Sequence, residues 1–104
     1  METTITVRHS EVSDALRQRA ITVVERLGNM ATRPMEMTVV FDTEGQAQTA
    51  ELRLHLAKGE ILVAKGSGSD HRSALDRAEE KLRRQLERSS SRPRRARTAQ
   101  PKNL

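Results

Sequence analysis

Arg77, Lys81, Arg84 and Arg88 recur at intervals of four, three and four, the spacing that stacks side chains along one face of a helix. Such a row makes or breaks no bonds. Its guanidinium and ammonium groups donate charge-assisted hydrogen bonds, and a row of roughly 16 Å, at 1.5 Å per residue, can track phosphates on a folded RNA. Asp76, Glu80 and Glu87 fall on a neighbouring stripe partly offset by Arg83, and Glu79 lies nearer the core edge. A nearly neutral helix thus presents a basic ridge. The plainer alternative is a solvated face laced with intrahelical ion pairs, such as Glu80 with Arg84.

The residues after the ridge shift that balance. Ser89-Ser90-Ser91-Arg92-Pro93-Arg94-Arg95-Ala96-Arg97 has no large apolar residue and no acid, so residues 89–104 are expected to form a basic tail that is disordered when free. Arg92, Arg94, Arg95 and Arg97 would strengthen binding to phosphates by counterion release without reading sequence. Residues 1–88 hold all 14 Asp and Glu and, with five of the 19 Lys and Arg in the tail, a formal balance of zero. A folded domain of that kind attracts an anion only by placing its opposite charges on different faces.

Catalysis finds little support. His9, His55 and His71 stand on different elements, and no HExxH, Walker or GxSxG pattern occurs. Cysteine is absent, so no thiolate metal site is expected, and neither is a cofactor or a small-molecule substrate. Gly66-Ser67-Gly68-Ser69 looks like a phosphate cradle but lacks the lysine of a P-loop, and reads as a turn before a helix cap. No secretion signal or membrane-length apolar run is present, which points to a cytoplasmic protein with no membrane partner.

The elements that must carry the ridge follow from periodicity. Residues 3–8 read as a β-branched strand. Residues 14–27 read as a helix capped by Ser13, with Leu16, Ala20, Val23 and Leu27 on one side and Gly28 at its end. Residues 35–41 form a second strand, and Ala50, Leu52, Leu54 and Leu56 alternate with polar residues in a third. Residues 60–65 make a fourth strand, and about 70–88 a helix whose apolar stripe is Ala74, Leu75, Ala78, Leu82 and Leu86. The order β-α-β-β-β-α closes most simply as an α+β two-layer sandwich, a four-stranded sheet with both helices on one face. Its open face would carry Arg53 and His55, yet Phe41 is the one Phe, Tyr or Trp in the chain. Shape and phosphate recognition of structured RNA therefore fits better than base stacking.

Asp70-His71-Arg72-Ser73-Ala74-Leu75-Asp76 followed by Lys81-Leu82-Arg83-Arg84-Gln85-Leu86-Glu87-Arg88, supported by Ser13 to Arg17 and by Ala50 to Ile61, resembles the ribosome hibernation promoting factor and ribosome-associated translation inhibitor family. The resemblance implies a fold akin to double-stranded RNA-binding domains. It also implies a place in the small-subunit channel, where the protein, bound as a monomer, would block tRNA and mRNA sites and preserve idle ribosomes. It assigns Lys81, Arg84 and Arg88 to rRNA contact; Arg77 joins them by geometry alone. Arg72 stands where the family commonly has Tyr, and is expected to substitute a phosphate contact. Two rivals stay open: a module for other structured RNA, and a protein-interaction module using the sheet.

Overall fold

The computed structural model describes the backbone of residues 1–99 and the side chains of residues 1–88. The elements are β1 (Glu2–Val7), α1 (Asp14–Met30), β2 (Pro34–Glu44), β3 (Ala47–Leu56), β4 (Ile61–Gly68) and α2 (His71–Ala99). The strands lie side by side in chain order, β1 parallel to β2 and the remaining pairs antiparallel. The parallel pair is possible because α1 carries the chain back between its two strands, whereas β2, β3 and β4 need only short turns.

Alternation places one set of side chains on one face. Across the sheet, Ile5 aligns with Val39, Leu52 and Ala64, and Val7 with Phe41, Ala50 and Gly66. These rows form one core with Ala20, Val23, Val24 and Leu27 of α1 and Ala74, Leu75, Ala78, Leu82 and Leu86 of α2. Both helices therefore cover the same face, and the α+β two-layer arrangement is as the periodicity predicts. The other face stays open and carries Thr38, Arg53 and Val63 in one row and Val40, Glu51 and Lys65 in the next.

Element ends differ from the periodicity where backbone geometry overrides composition. α1 does not stop at Leu27: it runs through Gly28 to Met30, where the Ala31 N–H donates to the Gly28 carbonyl at 3.2 Å. The glycines with positive φ are Gly45 and Gly59, in the two hairpin turns, where left-handed backbone favours glycine. Ser13 caps α1 as expected, its Oγ accepting from the Leu16 N–H at 3.1 Å, and Asp70 caps α2, accepting from the Ser73 N–H at 2.7 Å.

The largest correction concerns Gly66-Ser67-Gly68, which belongs to β4 and not to a turn. A Cβ on Gly66 would sit 2.2 Å from the Ala74 carbonyl oxygen and 2.7 Å from the Ala78 nitrogen. Glycine is there because the backbone of α2 lies directly against the strand. α2 itself continues past residue 88 to Ala99, through Pro93, which has no N–H to donate to the carbonyl four residues earlier. The side chains of Arg92, Arg94, Arg95 and Arg97, and residues 100–104 altogether, lie outside the described residues, so of the expected basic tail only the backbone to Ala99 is described.

Candidate nucleic-acid interface

α2 buries its apolar stripe on β3 and β4 and turns Arg77, Lys81, Arg84 and Arg88 to solvent, all four exposed. The ridge read from spacing is thus present as one face. Two of the acids beside it, Asp76 and Glu79, are drawn away from it. α1 supplies Arg19, which donates to Asp76 Oδ1 at 2.8 Å through Nη2, and Arg26, which grips Glu79 with both Nε and Nη2 at 2.9 and 3.0 Å. Glu80 lies between Arg83 and Arg84, the latter at 3.3 Å, so the intrahelical pair foreseen between Glu80 and Arg84 does form. Pairs open to solvent on at least one side add little stability. Their consequence is the charge pattern: the carboxylates of Asp76 and Glu79 are matched on the α1 side. No carboxylate pairs with Arg77 or Lys81 among the described residues.

Arg77 and Lys81 are instead held by backbone. Arg77 Nη1 donates to the Ser67 carbonyl, Lys81 Nζ to the Lys65 carbonyl at 2.7 Å, and Gln85 Nε2 to the Val63 carbonyl at 2.9 Å. Three residues spaced by four on α2 thus meet three carbonyls spaced by two on β4. β4 is an edge strand, whose outward carbonyls would otherwise be free. A carbonyl accepts a hydrogen bond without cancelling the charge, so the two cations keep their charge and lose only rotamer freedom. The spacing of the ridge foretells its exposure but not this strap, and Gln85 carried no signal of its own.

Arg72 does not join the ridge. It lines a cleft of about 350 Å³ with Glu11, Ser13, Arg19 and His71, where the starts of the two helices meet. Arg53 and His55 are exposed on the open sheet face. Two of the histidines, isolated in the sequence, converge on Asp42: His9 Nδ1 lies 3.0 Å from its Oδ1 and His71 Nε2 2.9 Å from its backbone oxygen. His71 also meets Phe41 edge-on at 5.6 Å. This node ties the end of β2 to the β1–α1 loop and to the start of α2; no metal-binding cluster forms among the described residues.

The hydrogen bonds from His9 and the Thr43 N–H hold the Asp42 carboxyl below the usual aspartate range, and those from Ser73 do the same for Asp70. A carboxyl depressed in the folded state contributes stability above its unfolded pKa and loses it as pH falls through the folded one. Urea midpoints are therefore expected to fall on acidification below about pH 4, with a shallower fall in Asp42→Asn and Asp70→Asn. Equal slopes in wild type and both variants would show that neither contact matters.

The fold has relatives among solved structures. A ribosomal subunit interface protein from Coxiella burnetii superposes with a TM-score of 0.76 at 18% identity, over 88% of this chain and 99% of that one. The N-terminal domain of Protein Y from Thermus thermophilus gives 0.72 at 26% identity, over 85% and 98%. A ribosome hibernation promotion factor of Rhizobium meliloti (strain 1021) is 27% identical over 92 residues, covering 85% of this chain. The chain spans about half, 47%, of that relative's length. Among the described residues no helix is long and apolar enough to cross a membrane. The family model for Sigma 54 modulation protein / S30EA ribosomal protein matches residues 3–94, and the chain belongs to that family, in agreement with the resemblance carried by its second helix.

Proposed function

We propose that this protein is a ribosome-associated hibernation factor that docks on the small subunit through the α2 ridge. There it occupies the channel used by tRNA and mRNA, and inhibits by exclusion with no bond made or broken. The observation that carries this reading is the ridge: exposed cations in one row, with the neighbouring carboxylates of Asp76 and Glu79 neutralised by Arg19 and Arg26 from α1. Preorganisation of Arg77 and Lys81 on β4 lowers the entropy lost when they meet phosphates. Arg92, Arg94, Arg95 and Arg97 add affinity through counterion release in this proposal, and Arg72 contributes a separate phosphate contact from the helix-start cleft. The protein acts as a single copy on the ribosome, in the cytoplasm.

Co-sedimentation with purified small subunits over rising salt tests it. The expected result is stoichiometric pelleting that resists salt better than binding to a free RNA duplex. Equal affinity for both, with the same salt slope, points to a general structured-RNA module. Failure to pellet even at low salt removes the ribosome reading and favours a protein partner on the sheet.

A further inference from the structure

The two edges of the sheet are treated differently. α2 closes the β4 edge with Arg77, Lys81 and Gln85, while among the described residues no side chain hydrogen-bonds to the β1 backbone. The Arg8 N–H donates to the Phe41 carbonyl at 2.8 Å. By alternation the backbone groups of Thr4 and Thr6 also face β2, and those of Thr3, Ile5 and Val7 face outward. β1 reads Glu-Thr-Thr-Ile-Thr-Val, with neither lysine nor proline, the residues that ordinarily blunt an exposed edge.

We infer that the β1 edge is a self-association surface, on which a second copy of this chain adds its own β1 antiparallel, so that the two four-stranded sheets become one. Ile5 lies opposite Ile5 of the second copy, Thr3 opposite Val7, Thr4 opposite Thr6 and Glu2 opposite Arg8. This register keeps the helix-covered faces on one side, because residues directly opposite share a face. It joins every outward group of Thr3, Ile5 and Val7 in about six hydrogen bonds.

Charge selects the occupant. Glu2 stands beside Glu36 across the β1–β2 pair, and among the described residues neither carboxylate has a cation within ion-pair distance. The register brings Arg8 of the second copy against that acidic pair, twice by symmetry. On the helix side, exposed Met1 and Ile21 border a groove of about 520 Å³ that reaches Thr3, Val24 and Gly28, and Ile5 is only half-buried; the second copy covers this fringe. The interface is independent of the proposed ribosomal role, since β1 is the edge farthest from β4 and leaves both α2 ridges on the outer flanks.

The test is sedimentation velocity on the full chain from micromolar to millimolar concentration, with Glu2→Arg and Arg8→Glu. Wild type is expected to reach dimer mass. Each single variant, which sets like charges opposite each other, is expected to weaken the dimer by about tenfold with an unchanged circular dichroism spectrum. An equimolar mixture of the two variants is expected to recover the dimer. One variant is then basic at both ends of β1 and the other acidic at both, so every facing pair is of opposite charge. The double variant, with the two charges exchanged, recovers the dimer alone. A wild type that stays monomeric at millimolar concentration overturns the inference. So do single variants that dimerise as well as wild type, or a mixture and double variant that stay monomeric.

Discussion

Replacing Arg77, Lys81, Arg84 and Arg88 together by glutamine is expected to weaken binding to the small ribosomal subunit by about a hundredfold or more, and to lower the slope of log affinity against log salt by about 3 to 4. Glutamine is chosen over alanine because of the strap on β4. Truncating Arg77 and Lys81 would free two carbonyls on an edge strand, so a loss of binding would be confounded with a loosened helix. Gln85 already shows that a glutamine in this row reaches a β4 carbonyl. The substitution therefore removes charge and keeps the donors. Urea stability should stay within about 0.5 kcal/mol of wild type, as for exposed changes away from the core. Unchanged binding with unchanged stability would move the interface off α2, with Arg53 and His55 on the open sheet face as the next surface to test.

Gly66→Ala is expected to destabilise the domain by about 3 kcal/mol, the upper end of the range for overpacking. The added methyl group meets backbone on the α2 side, the Ala74 carbonyl at 2.2 Å and the Ala78 nitrogen at 2.7 Å, and backbone cannot swing aside as a side-chain end can. α2 must lift, which pulls Arg77 and Lys81 from their carbonyls, so under the proposed function affinity for the small subunit is expected to fall along with stability. Gly45→Ala is the control. Gly45 sits at φ 64° with open space around it, so its cost is conformational alone, about 1–2 kcal/mol, with no effect on binding. If the urea midpoint of Gly66→Ala matches wild type, the close approach of α2 to β4 does not bear on stability.

The two helices were legible because their apolar residues recur at three and four and each begins with a side chain suited to capping. β3 was legible because Ala50 to Leu56 alternate without a break. The reading of Gly66-Ser67-Gly68 failed for a physical reason: glycine breaks local propensity whether it serves a turn or makes room for another backbone, and only the position of α2 separates the two. Arg19 and Arg26 share a side of α1, yet their partners, Asp76 and Glu79, lie more than fifty residues away. The convergence of His9 and His71 on Asp42 was invisible for the same cause, since spacing along the chain says nothing about which loop ends meet.

By itself, then, the amino-acid order determined what depends on neighbours within a turn or a strand: the sequence of elements, the apolar face of each, and the alignment of Arg77, Lys81, Arg84 and Arg88. Tertiary structure decided what depends on elements distant in sequence. It assigned the acids of α2 to the arginines of α1, anchored two ridge cations on the β4 carbonyls, placed Arg72 in a separate cleft, and closed one sheet edge while leaving β1 open. Side-chain periodicity is set by backbone geometry that repeats every few residues, whereas these pairings are set by how two faces pack.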